Sequence, residues 1–287
     1  MEKDALKQQY RRLRILCFIS LILAIGALVC YFVDKQLTLV LLGASLVHHL
    51  LLVRPRAKQY EREYNHCCIE QTLNRYLNDA THTASPAIDP EEIRKARLIP
   101  ANAPKSSVYC FESGRGNYRG RTVRASDVTF THSFLVVDKK RHEFVTGTWV
   151  SVALEKDTGL DWRLLGPHVV AQPSLAEMLR REKDLQRLAE LPPWMSEGGW
   201  TVLRPEGSPD LPHSMVLKQI RALAESTKCP LSVHIQGNQL NVFLVHRVLG
   251  QKVNIREAPR DEWLALDRLP EFSGILKLSD VLVNSLE

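Results

Sequence analysis

No C-x-x-C pair, no G-x-S-x-G, no H-E-x-x-H and no phosphate-binding G-x-x-x-x-G-K loop occurs anywhere in the 287 residues. These absences remove the usual signatures of structural zinc, serine hydrolases, zinc proteases and P-loop enzymes. Glycine and proline are scarce, at 14 and 15 residues, which excludes a collagen-like or low-complexity chain. Six cysteines in a chain this long are too sparse for a disulfide scaffold. Internal repeats are also lacking.

Excess charge is absent from most of the chain. Residues 1–62 hold ten Lys/Arg against four Asp/Glu, which accounts for the whole net charge of +6. The remaining 225 residues carry 28 charges of each sign and sum to zero. A pI near 9.0 therefore does not mark a nucleic-acid-binding domain, and no nucleic acid is favoured as a partner.

What the basic segment brackets is apolar. Ile15 to Val33 and Leu37 to Val53 are uncharged apolar runs separated by Asp34, Lys35 and Gln36. About 20 apolar residues in a helix cross a hydrocarbon core of about 30 Å, so the runs predict a tight transmembrane hairpin. Arg11, Arg12 and Arg14 precede the first run, and Arg54, Arg56 and Lys58 follow the second. Basic flanks stay cytoplasmic, which places both termini and the bulk of the chain in the cytoplasm. A cleaved signal peptide needs a small-residue site, which Cys30-Tyr31-Phe32-Val33 does not offer. His48 and His49 diverge on a helix and read as interfacial residues, while Gly26, Gly43, Ala44 and Ser45 suit close helix packing or self-association.

The chain then divides into a basic cytoplasmic N-terminus (1–14), the hairpin (15–53), a juxtamembrane helical connector (54–100), an antiparallel β-rich subdomain (101–172) and an α/β subdomain with a βαββ unit (173–287). The fold class is α+β. A helix is expected over 54–80, kinked at Pro55, followed by a polar linker over Thr81–Ala87 and a short helix capped by Asp89-Pro90. Period-two patterning predicts strands at Ser107–Glu112, Tyr118–Arg124, Val128–Val137 and Phe144–Leu154, with turns at Ser113–Asn117, Lys139–His142 and Asp157–Gly159, and a further strand near His168–Ala171. Ser174 and Glu177 form a capping box for a helix over Leu175–Glu190. The last part predicts a strand at Trp200–Leu203, a helix at Ser214–Ser226, and a hairpin of Leu231–Ile235 with Leu240–Val245 around Gly237-Asn238. Short helices at Arg260–Leu266 and Leu278–Leu286 complete it.

Candidate chemistry is thin. His66-Cys67-Cys68 would diverge on a helix and could not form a tetrahedral metal site. Gly114-Arg115-Gly116-Asn117-Tyr118-Arg119-Gly120 lacks the dinucleotide spacing and reads as a hairpin turn with solvated arginines. Residues 91–141 hold eleven basic groups against five acids, a patch suited to anionic lipid headgroups. His82, His132, His142, His168, His213, His234 and His246 are scattered singly. No catalytic, cofactor-binding or metal-binding residue is assigned, and no cofactor is expected.

The membrane hairpin, the Tyr-rich helix, Asn117-Tyr118-Arg119-Gly120-Arg121, Phe144-Val145-Thr146-Gly147-Thr148-Trp149-Val150 and Gly237-Asn238-Gln239-Leu240-Asn241-Val242 together resemble the bacterial "domain of unknown function 3137" family over roughly residues 60 to 245. The chain departs from that family in its last forty residues and between Leu191 and Gly199. The resemblance implies a bacterial inner-membrane setting and no reaction. The expected function is a membrane-anchored, non-catalytic interaction or scaffold protein. A subunit of a secretion, conjugation or defence assembly, and a tethered enzyme with an unrecognised site, are the alternatives.

Overall fold

A computed structural model describes residues 3–83, 85–98, 106–136, 139–167, 184–208, 213–227, 229–246, 249, 259 and 270–285. The chain divides into two units, 1–71 with 251–266 and 72–250 with 267–287.

The first unit is a long helical hairpin. Helix α1 runs Lys3–Cys30 and α2 runs Lys35–His48, so the basic N-terminus is itself helical. Asp34 caps α2: its carboxylate accepts from the amides of Gln36 (2.8 Å) and Leu37 (3.3 Å). That cap draws Lys35 and Gln36 into the helix and moves the expected connector back to Tyr31–Asp34. A π-helical turn at His49–Val53 leads without a break into α3, Arg54–Leu73. Pro55 follows directly on this turn, where the Arg54 amide reaches back to His49 O. The wider turn accommodates a proline that has no N–H and crowds the carbonyl four residues before it.

Helix α1 and the continuous helix Lys35–Leu73, which joins α2, the π-turn and α3, are each long and apolar enough to cross a membrane. Their apolar side chains point outward, as at Phe18, Leu28, Phe32, Leu39 and Leu51. Between the helices, Gly26 sits close to Leu41, while Gly43 faces open space. Ser20 Oγ and His48 Nδ1 are 2.7 Å apart, and Ser45 Oγ donates to Ser20 O at 3.1 Å. His48 is thus a cross-hairpin hydrogen-bonding residue. Beyond the apolar runs, Leu6, Tyr10 and Leu13 of α1 form a small core with Val53, Tyr60, Tyr64, Cys67 and Cys68.

The second unit is built on a nine-stranded antiparallel sheet in the order β1-β2-β3-β4-β9-β8-β5-β7-β6. The strands are β1 (Asn78–Thr83), β2 (Ser106–Tyr118), β3 (Arg121–Val136), β4 (Lys139–Ala153), β5 (Asp161–Leu165), β6 (Leu185–Arg187), β7 (Thr201–Pro205), β8 (Leu231–Gln236) and β9 (Gln239–Leu244). Segments 54–100, 101–172 and 173–287 all contribute strands to this one sheet.

Several local expectations shift. The helix expected to reach residue 80 stops at Leu73, and part of the expected linker is β1, paired with β2. Gly114 and Gly116 permit that approach, since a Cβ on either would lie 2.7 Å from Leu73 Cδ1 or 2.9 Å from Leu77 Cβ. The glycine cluster is therefore strand, and the hairpin turn falls at Arg119-Gly120, both at positive φ (49° and 83°). The two strands expected on either side of Ser126-Asp127 are one strand. These polar residues interrupt the apolar alternation but are satisfied internally: Ser126 Oγ lies 2.6 Å from Ser113 Oγ, and Thr148 Oγ1 donates to Asp127 at 2.6 Å. Strand β5 was not anticipated. The expected helix over 175–190 and strand over 168–171 fall largely outside the described residues, as does the helix over 260–266, but Leu185–Arg187 is strand rather than helix. The polar run Lys139–His142, expected as a turn, instead opens β4 and pairs with β3.

The described helices of this unit are α4 (Pro90–Ala96), α5 (Pro193–Glu197), α6 (Ser214–Ser226) and α7 (Pro270–Asn284), the last beginning earlier than expected. On one face of the sheet, Ile88 and Leu98 beside α4, with Ile93 and Ala96 within it, pack with Val128, Phe130, Trp149, Leu165, Leu203 and Phe243. Helix α7 is held to the β2–β3 end. Arg121, almost fully buried, donates to Ser279 Oγ at 2.8 Å and to Asp280, and Tyr118 OH donates to Asp280 at 2.9 Å.

Candidate functional site

Side chains alternate across a strand, so the register Arg163↔His234↔Asn241 aligns one residue from each of β5, β8 and β9 on the same face as α4. Ser151 on β4 continues that row, and Trp149, two residues back along β4 on the same face, reaches Asn241 diagonally. The row is polar where its surroundings are apolar, and it lies under a cleft of about 370 Å³ whose lining includes Glu91, Glu92 and Lys95 of α4 with His234, Gln239 and Asn241.

The hydrogen bonds across the row have a single direction. Trp149 Nε1 donates to Asn241 Oδ1 at 3.2 Å, which turns the Asn241 amide nitrogen toward His234 Nδ1 at 3.4 Å. With Nδ1 accepting, the ring proton resides on Nε2, 3.5 Å from Asp161 Oδ1. Asp161 also accepts from Arg163 at 2.6 Å and from Gln236 at 3.3 Å, while Arg163 Nε donates to Ala96 O at 3.0 Å. Every donor in the chain thus leads toward the Asp161 carboxylate and the end of α4.

Burial dominates the protonation of this group. His234 is 1% exposed, and burial lowers its pKa against the opposing hydrogen bond and charge of Asp161, so the ring is held neutral. Burial raises Asp161, but the adjoining His234 ring and the Arg163 charge and hydrogen bond outweigh it and leave the carboxyl below its ordinary value. Glu92 is clamped as well, by two bonds from Arg124 (2.7 and 3.1 Å) and one from Gln239 (2.7 Å). An imidazole with one nitrogen accepting and the other facing a carboxylate, beside an immobilised glutamate, is arranged to present fixed polar groups. It is poorly placed to carry protons to and from a substrate.

The other candidates fall elsewhere. Cys67 and Cys68 are buried in the α1–α3 core, and His66 points away to Glu70 at 3.7 Å. Among the described residues, no group of three or more His, Cys, Asp or Glu is arranged to hold a metal ion. Burial, then the charges of Asp89 and Glu92, push the Cys110 thiol up to about 11, and burial with the charge of Glu271 does the same for Cys229, so neither is an activated nucleophile. His82 faces Glu112 at 3.4 Å, and His213 caps α6 by accepting from the Met215 amide. The side chains of His132, His142 and His168 lie outside the described residues. In the basic 91–141 stretch, Arg94, Arg97, Arg119, Arg121 and Arg124 are all ion-paired, with Glu91, Asp184, Asp280 and Glu92 among their partners. The row through His234 escaped sequence reasoning because its members come from four strands and share no local spacing; the only signal is a histidine at an inward position of a hairpin strand.

The structure therefore defines a class only: two long apolar N-terminal helices followed by an α+β domain on an antiparallel sheet. No known protein family, curated protein or solved structure matches the chain.

Proposed function

We propose that the protein is a membrane-anchored, non-catalytic interaction or scaffold protein. The apolar helices cross the bilayer as a hairpin, and the sheet domain engages a protein partner at the cytoplasmic surface. A bacterial inner membrane is the setting. In support of the anchor, a core helix of a soluble protein would be mostly buried, whereas the apolar windows here are 17% and 11% buried. Basic residues flank both, which favours cytoplasmic ends.

The observation that carries the partner reading is on β2. Strand β1 pairs with β2 only over residues 113–117, so among the described residues no strand covers the outer edge of 106–112. Tyr109 and Phe111, exposed at 54% and 41%, project from that same segment. An uncovered edge with alternate aromatic side chains suits an added strand from another chain. The test is a photo-crosslinking residue at position 109, 110 or 111 of the full chain in its native membrane. Adducts at 109 and 111 but not at 110, which faces the core, are expected; equal yields at all three positions, or none, would overturn the reading. A second reading, a subunit of a larger membrane assembly, is favoured by Gly43, which faces away from its own hairpin.

A further inference from the structure

Where the two helices of the first unit leave their apolar runs, they enclose a pocket of about 250 Å³ lined by Gln9, Arg12, Leu13, Leu16, Arg56 and Tyr60. Its floor and walls differ in kind. Leu13 and Leu16 continue the apolar surface of α1, while Arg12 and Arg56 present two guanidinium groups, neither paired with a carboxylate among the described residues.

Two further polar groups are left unsatisfied there. Tyr60 is 2% exposed and its hydroxyl has no hydrogen-bond partner. A buried hydroxyl without a partner costs about 1–3 kcal/mol, so its persistence calls for a ligand. Burial, reinforced by Tyr64 and Tyr10, raises Tyr60 above the ordinary phenol range and keeps it a donor. The Gln9 side chain donates from its amide nitrogen to Glu63, leaving its buried carbonyl oxygen without a donor. Gln59 also donates to Glu63, at 2.9 Å, so that carboxylate is occupied on both oxygens. The pocket thus offers two exposed cations, one neutral O–H donor and one acceptor, beside apolar surface that runs into the apolar helix.

We propose that this pocket binds the phosphodiester of an anionic phospholipid with a hydroxylated headgroup. The phosphate accepts from Arg12, Arg56 and Tyr60, a headgroup hydroxyl donates to Gln9, and the acyl chains lie along Leu13 and Leu16. Arginine suits this role because its planar donors match phosphate oxygens. The volume is below the range for a drug-sized ligand and fits a headgroup rather than a whole lipid. The proposal rests on the membrane-anchored reading, which puts these residues at headgroup depth.

The test uses the full chain, purified in mild detergent, delipidated and returned to phosphatidylcholine nanodiscs. Native mass spectrometry then follows titration with phosphatidylglycerol. Discrete binding of one lipid per chain is expected, at least tenfold tighter than phosphatidylcholine. The Arg12→Gln/Arg56→Gln double variant should lose at least tenfold, Tyr60→Phe about threefold with no loss of melting temperature in the lipid-free chain, and an Arg11→Gln/Arg54→Gln control less than twofold. Equal losses in control and double variant would reduce the effect to general surface charge and overturn the proposal, as would indifference to headgroup. Competition by free glycerol phosphate at the lipid's own affinity would reassign the pocket to a soluble anion. Release of the chain from its native membrane by alkaline carbonate would instead defeat the anchor reading; retention without lipid selectivity defeats the pocket alone.

Discussion

The hairpin and the sheet domain treat charge in opposite ways. In the hairpin, charged groups are expelled to the ends and apolar side chains face outward. In the sheet domain, apolar side chains face inward and several charges go in with them: Arg163 is 3% exposed beside Asp161, and Arg121 is 5% exposed beside Asp280. This difference accounts for the charge distribution along the chain. The basic residues gathered around the two apolar helices have few acids beside them and carry the whole net charge. Cations taken into a folded interior need partners, because an unpaired buried charge costs several kcal/mol, so there the sum stays near zero.

The contrast can be broken at either side. Trp149→Ala empties the centre of the sheet core and orphans Asn241; it should destabilise the sheet domain by about 3–5 kcal/mol in denaturant titration while leaving membrane retention intact. Ile25→Arg should do the reverse, adding about 2.5–3.5 kcal/mol to span insertion and lowering the membrane fraction without moving the domain's melting. If either substitution affects both readouts equally, the two regions do not fold on separate principles. A smaller effect is expected from Gly147→Ala, whose Cβ would press on Leu244 O and approach the Phe243 ring to 2.7 Å; overpacking of this kind costs about 1–3 kcal/mol.

Acid should separate the regions too. His234 has a folded pKa below its unfolded value near 6.5, so its contribution is present above that pH and lost as pH falls below it, where only the unfolded chain takes up the proton. Asp161, also lowered, adds a second loss as pH falls below its ordinary value of 3.8. Domain stability measured from pH 8 to 3 should therefore decline in two stages, and His234→Gln should remove the first. Orientation sharpens the comparison without altering stability: a membrane-impermeant amine reagent applied to intact cells should label Lys35 and no other lysine, and labelling of Lys218 or Lys277 would invert the topology.

The hairpin was readable in the sequence because its signals are local: two apolar runs, basic brackets and a three-residue polar break, although that Asp34 caps the second helix was not read. Helix α6 and the Gly237-Asn238 hairpin were readable for the same reason, one by its period and the other by its turn chemistry. What escaped depends on contacts distant in sequence. Ser126 and Asp127 look like a strand break until Ser113 and Thr148 satisfy them. Gly114 and Gly116 look like a turn until the chain around Leu73 and Leu77 passes over them. The His234 row is assembled from β4, β5, β8 and β9, and no window of sequence contains it.

The π-turn at His49–Val53 acts as a phase adapter. An α-helix advances about 100° per residue, so one extra residue in a turn rotates everything after it by about that angle. Leu41, which meets Gly26, and Tyr60, which meets Tyr10, therefore need not lie on one continuous stripe of α2 and α3. The span and the segment beyond it can each choose their own packing face, and a single-residue deletion within 49–53 would force a choice between them.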